Sequence, residues 1–124
     1  MNVVDSSGWL EYFSGSPLAR HYFPYLEKKG ELLVPTLVLH EVYRWIKSHR
    51  DEDEALKFVS KMSEGQVIVL DDSLALGAAD VRIEHKLAMA DAVVYATALQ
   101  YHAKLITSDA DFKNLPHVVY FSKH

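Results

Sequence analysis

The sequence predicts an α/β fold: a three-layer α/β/α sandwich on a mainly parallel sheet of about five strands. Two observations carry this. Five short apolar, β-branched runs bounded by Gly, Pro or Asp recur along the chain, as suits strands buried on both faces. Longer stretches with helical spacing separate them, and alternating strands and helices favour parallel pairing through crossovers. No internal repeat, low-complexity tract or linker divides the 124 residues, so one domain over 1–124 is expected.

The first strand is Val3-Val4, followed by Asp5, which is placed to cap a helix over Ser6 to Phe13. Pro17 to Lys28 reads as a helix with a favourable early proline, ending in basic residues and Gly30. Leu32-Leu33-Val34 is the second strand. Thr36 then N-caps a helix to about Ser48, with Val38, Val42, Trp45, Ile46 and His49 on one stripe. The acidic tract Asp51-Glu52-Asp53-Glu54 suits a solvated helix start, where negative charge meets the positive end of the macrodipole. That helix runs from Glu52 to Ser63, repeats apolar residues at Ala55, Leu56, Val59 and Met62, and stops at Gly65. Val67 to Leu70 is the third strand. Asp72 or Ser73 caps a helix to about His85, and another runs from near Ala90 to about His102. Lys104 to Thr107 is the fourth strand. A short connection, Asp109 to Leu115, leads past Pro116 to the fifth, Val118 to Phe121.

Hydrophobic residues make up 49% and charged residues 24%, ordinary values for a soluble globular chain. The absence of cysteine excludes disulfides, thiolate zinc sites and cysteine nucleophiles, and is compatible with a reducing cytosol. No signal-peptide pattern follows Met1 and no apolar run reaches bilayer-spanning length, so a cytoplasmic protein without a membrane partner is expected. A formal net charge of -4 argues against binding nucleic acid by bulk electrostatics alone. It leaves room for an enzyme that holds a polyanion through a local basic patch and a bound cation.

Four acids fall at comparable places on this map. Asp5 ends the first strand, Glu41 lies early in the helix after the second, and Asp109 follows the fourth. Asp91 interrupts the nearly all-apolar stretch Leu87–Leu99 where its helix begins. In open α/β sheets ligands gather outside the carboxyl ends of strands, near the topological switch point. Acids converging there repel one another, and a divalent cation reverses that penalty. Mg2+ and Mn2+ favour carboxylate and water oxygens, activate water and stabilise phosphoryl charge. Taken singly, Asp5, Asp91 and Asp109 are equally explained as helix caps, and Glu41 as a surface residue paired with Arg44. Their shared location makes a metal site competitive.

Val3-Val4-Asp5-Ser6-Ser7, Val34-Pro35-Thr36 leading to His40-Glu41-Val42, Met89-Ala90-Asp91-Ala92 and Leu105-Ile106-Thr107-Ser108-Asp109-Ala110-Asp111-Phe112 together resemble PIN-domain ribonucleases. Within these, the whole chain is most similar to VapC toxins of toxin–antitoxin pairs. The resemblance implies a single PIN-like domain in which Asp5, Glu41, Asp91 and Asp109 form a catalytic Mg2+ or Mn2+ pocket. Thr107, or less readily Ser108, matches the family's small hydroxyl residue. Ser6 matches a small polar position that supports the pocket. Asp111 matches a second terminal acid that assists the site or caps the short helix there, capping being the simpler role. The reaction implied is metal-dependent hydrolysis of an RNA phosphodiester, with water attacking phosphorus in line and leaving 5′-phosphate and 3′-hydroxyl ends. The partners implied are an RNA substrate, a small VapB-like antitoxin and a second copy in a homodimer.

Other features carry less. Seven histidines invite a zinc reading, but His40-Glu41-Val42-Tyr43-Arg44 lacks the second histidine of HExxH. Arg44, Lys47, His49 and Arg50 complement the negative end of their helix, and Arg44, Lys47 and Arg50 are also candidates for RNA phosphate contacts. Trp9, Tyr12, Phe13, Leu18, Tyr22 and Phe23 are expected mostly in the core, with some left to form a partner groove. Two alternatives stand beside the ribonuclease: a catalytically silent PIN-like module that binds RNA or protein, and a small-phosphoester hydrolase. The latter is weakened by Asp5-Ser6-Ser7, which is not a DxD motif.

Overall fold

The structure, a computed structural model, describes residues 1–123. Strand β1 (Asn2–Val4) leads into helices α1 (Ser6–Ser14) and α2 (Ala19–Glu27). A 3₁₀ turn at Lys29–Glu31 precedes β2 (Leu32–Pro35), α3 (Thr36–His49), α4 (Glu52–Met62) and β3 (Gln66–Ile68). Helices α5 (Asp72–His85) and α6 (Met89–Gln100) then cross to β4 (Lys104–Thr107), a 3₁₀ turn at Ala110–Phe112 and β5 (Val118–Tyr120).

All pairings are parallel, in the order β3-β2-β1-β4-β5, and the helices flank this sheet as the sandwich reading expects. The chain order reverses between β1 and β4, which places the switch-point crevice at the ends of those two strands. Val3, Val4, Leu33, Val34, Leu105 and Ile106 are fully buried because helices cover both faces of the sheet's centre. In α6 every residue from Ala92 to Ala98 is buried, so its apolar length is core.

Several boundaries differ from expectation. The third strand stops at Ile68, and Val69 and Leu70 are exposed. Its partner β2 ends at Pro35, which pairs with Ile68, so nothing remains for Val69 to join. The fifth strand stops at Tyr120, though Phe121 N–H still donates to Thr107 O. Helix α2 starts at Ala19, after Leu18, and ends before Lys28; Gly30 lies inside the 3₁₀ turn rather than at a helix C-terminus. Helix α6 starts one residue before Ala90 and ends at Gln100, two before His102, whose φ is 53°.

The caps are also redistributed. Pro35 occupies the N-cap of α3 without a side-chain bond, and Thr36 is the first helical residue. Asp71, not Asp72 or Ser73, caps α5 by accepting from Leu74 N–H at 2.9 Å. Asp51 caps α4 through Glu54 N–H at 2.8 Å, as the acidic tract implies. Two stripe residues lie outside the core. Leu56 is exposed while Ala55, Phe58 and Met62 are buried, and His49 stacks on Trp45 in solvent.

Candidate active site

Asp5 ends β1 and is buried, and its carboxylate is held from three directions. Oδ1 accepts from Gly8 N–H at 3.1 Å, capping α1, and from Ser7 Oγ at 3.0 Å. Oδ2 accepts from Thr107 Oγ1 at 2.6 Å, across the β1–β4 switch point. Burial pushes the Asp5 carboxyl above its usual range, these hydrogen bonds oppose that, and the Asp109 charge adds to the rise. Thr107 Oγ1 also accepts from Asp109 N–H at 2.9 Å, so one hydroxyl ties the end of β1 to the turn after β4. Of the two hydroxyl candidates, Thr107 is the one that bonds Asp5. Ser108, also buried, bonds instead with the Tyr22 hydroxyl. Ser6 opens α1 half-buried, and the serine that reaches Asp5 is its neighbour Ser7.

Asp109 Oδ1 accepts from Asp111 N–H at 2.9 Å and caps the 3₁₀ turn. Asp109 therefore takes the capping role that the sequence left open for it, and Asp111, whose simpler expected role was capping, is not the cap. Asp91, Asp109 and Asp111 each offer a carboxylate oxygen within 4.8 Å of the others. Asp91 is the third residue of α6 and is not its cap; Ala88 is, without a side-chain bond. Burial, followed by the charges of Asp109, Asp111, Asp5 and Glu41, pushes the Asp91 carboxyl up to about 6. The favourable dipole of a helix start does not overcome this crowding.

Asp5 and Glu41 stand outside the tight trio but close enough to raise Asp91. Glu41 lies in the second turn of α3, half-buried, and no ion pair joins it to Arg44 among the described residues. No Lys, Arg or His pairs with any of the five acids among these residues. An all-oxygen set with no internal cation suits a hard divalent ion such as Mg2+ or Mn2+.

Beyond the acids, His40, Tyr43, Arg44, Lys47 and Ser48 line a shallow groove on α3. Lys47 lies 3.6 Å from Glu52 and 5.5 Å from the centre of the Tyr43 ring. Arg50 is separate, covering Phe13 at 5.8 Å. Trp9 and Tyr22 are core residues, whereas Tyr12 and Phe23 line a second shallow groove with Arg20.

Residues 3–118 match the family model of the PIN domain. The chain belongs to the PIN domain family. PIN domains are nucleases that use divalent metal ions, which accords with the acidic, all-oxygen cluster near the switch point. Among solved structures, this PIN domain is similar to a toxin–antitoxin complex from Klebsiella pneumoniae, with TM-score 0.85 and 23% identity over 98% of this chain and 99% of that one. It is also similar to VapC20 of Mycobacterium tuberculosis, a toxin that cleaves the sarcin–ricin loop, with TM-score 0.78 and 16% identity over 95% and 97% of the two chains. A third similar structure is VapBC2 from Rickettsia felis bound to a promoter DNA fragment, with TM-score 0.75 and 12% identity over 98% and 97%. At these identities the likeness is one of fold. No curated protein matches the chain in sequence.

Proposed function

We propose that this chain is a metal-dependent endoribonuclease acting as the toxin of a toxin–antitoxin pair, with residues 1–124 forming one PIN-like domain. The observation that carries the reading is the meeting of Asp91, Asp109 and Asp111, next to Asp5 and Glu41, with no cationic side chain paired to them among the described residues. Uncompensated, this arrangement costs stability, and a divalent cation reverses the sign of that cost.

In this reading Asp91 and Asp109 hold Mg2+ or Mn2+, with Asp5 and Glu41 completing the catalytic acids of the pocket and Asp111 as a further ligand. When bound by these carboxylates, such an ion would supply Lewis-acid polarisation of phosphoryl oxygens and a more nucleophilic water at neutral pH. Asp5, fixed by Gly8, Ser7 and Thr107, gives the pocket a rigid floor. Thr107 sets the start of the Asp109 turn. Arg44 and Lys47, on the helix that carries Glu41, contact RNA phosphates; Arg50, turned toward Phe13, is the weakest of the three candidates.

The antitoxin reading draws on the fold likeness to toxin–antitoxin complexes and on the surface where exposed Phe23 lies beside half-buried Tyr12. The homodimer reading draws on α5, which is apolar on two sides. Leu74, Ala78 and Val81 pack inward, while Leu76 and Ile83 face solvent. With Leu70 and Met89, Ile83 also lines a groove of ≈ 340 Å³ between α5 and α6. No helix among the described residues is long and apolar enough to cross a membrane, and a cytoplasmic site of action is proposed, where RNA is available.

The test compares wild type, Asp5→Asn and Asp91→Asn on structured RNAs with Mg2+, with Mn2+ and with EDTA, and analyses the product ends. Cleavage leaving 5′-phosphates, abolished by EDTA and by each substitution, is expected. Cleavage that survives chelation or both substitutions refutes the mechanism, and RNA binding without cleavage in either metal favours the silent module.

A further inference from the structure

Tyr22 is fully buried in α2, and its phenol finds no partner nearby in sequence. Its hydroxyl donates to Ser108 Oγ at 2.9 Å, 86 residues away. Packing alone does not explain the oxygen, because a phenylalanine would fill the same space without desolvating a hydroxyl. The bond lands on the one residue between Thr107, which holds Asp5, and Asp109, which caps the following turn. The Tyr22 ring also closes on Gly8, whose N–H donates to Asp5. A Cβ at Gly8 would lie 2.6 Å from Tyr22 Cε1. Tyr22 therefore touches the supports of the acidic edge on both strands, by its ring behind Asp5 and by its hydroxyl beside Asp109. Burial, with the Asp5 charge adding, keeps the phenol far above its ordinary titration range, so it remains a neutral donor.

We propose that Tyr22 is a positioning residue of the site, its hydroxyl fixing the Ser108 segment and thereby the aim of Asp109 toward Asp91 and Asp111. The proposal rests on the metal-site reading given above.

The test measures Mn2+ binding to the full chain by isothermal titration calorimetry, alongside thermal melts in EDTA. Tyr22→Phe and Ser108→Ala are each expected to weaken Mn2+ binding about tenfold, the lower end for outer-shell supports. The double variant is expected to be no weaker than either single one, because the two changes break one bond. Phe121→Leu is the structural control. It loosens the ring that packs edge-on against Tyr22 at 5.3 Å, so it should lower Tm while leaving Mn2+ affinity unchanged. If Tyr22→Phe fails to fold, Ser108→Ala carries the comparison alone. Wild-type affinity in Tyr22→Phe and Ser108→Ala, or an equal loss in Phe121→Leu, overturns the proposal. Absence of Mn2+ binding by wild type instead overturns the metal-site reading, and this inference with it.

Discussion

Replacing Asp91 by Asn removes one charge from the acidic edge and is expected to stabilise the metal-free protein at neutral and higher pH. The carboxyl rises from 3.8 to about 6 in the fold, chiefly through burial and then through its acidic neighbours. A raised carboxyl contributes stability below its unfolded value, and that contribution is lost as pH climbs through the folded one. Taken in full, the rise is worth about 3 kcal/mol, and the half-exposed position of Asp91 reduces it to about 1.5 kcal/mol. The variant also forfeits a favourable interaction with the start of α6, about 0.5 kcal/mol, which leaves a net gain near ~1 kcal/mol. The assay is urea unfolding in EDTA at pH 4 and pH 8. The two proteins should coincide at pH 4, and the variant should lead at pH 8, by ~4 °C in a parallel thermal melt. Mn2+ should reverse the order: at a hundredfold excess over Kd it stabilises wild type by about 2.7 kcal/mol and the variant much less. A variant less stable than wild type at pH 8, or a difference independent of pH, would falsify the crowding argument.

Two further outcomes are expected. Thr107→Val keeps the side-chain shape but removes a buried donor to a carboxylate and the acceptor for Asp109 N–H. It should cost about 3 kcal/mol, read as a lower urea midpoint at unchanged slope, with Thr107→Ser retaining most of the stability; a loss below ~1 kcal/mol speaks against the tie. Ile83→Glu changes a residue 79% exposed in the monomer, so circular dichroism should not alter while sedimentation velocity shifts from dimer to monomer. A monomeric wild type at micromolar concentration refutes the dimer reading.

What could be read from the sequence was what short-range chemistry decides. The Asp51 tract begins a helix because its carboxylate answers an N–H three residues on, and Asp5 caps α1 in the same way. Strand order along the chain and the apolar face of α6 follow from composition within single segments. Other features depend on what meets what. Whether Asp109 or Asp111 caps is set by the extended backbone at Asp109, with φ -81° and ψ 121°, which brings its side chain onto the N–H two residues later. The end of β3 is set by Pro35 on a different strand, and Leu56 is exposed because its helix turns Phe58 toward Trp9 and Phe13. Tyr22 is legible in sequence only as an apolar-face aromatic. The one faint signal was Gly8, a small residue in a helix beside bulky neighbours, where a close approach is a natural reason for glycine.

The bond between Asp5 and Thr107 spans 102 positions of the chain. Synthesis delivers Asp5 102 positions ahead of Thr107, and the central strand β1 waits as long for its neighbour β4. A nascent chain can form α1 through α4 while it grows, but its acids have no common edge to occupy until β4 emerges. The acids come together only after β4 is made, so a chain whose β4 is still unmade has not yet joined Asp5 to Thr107.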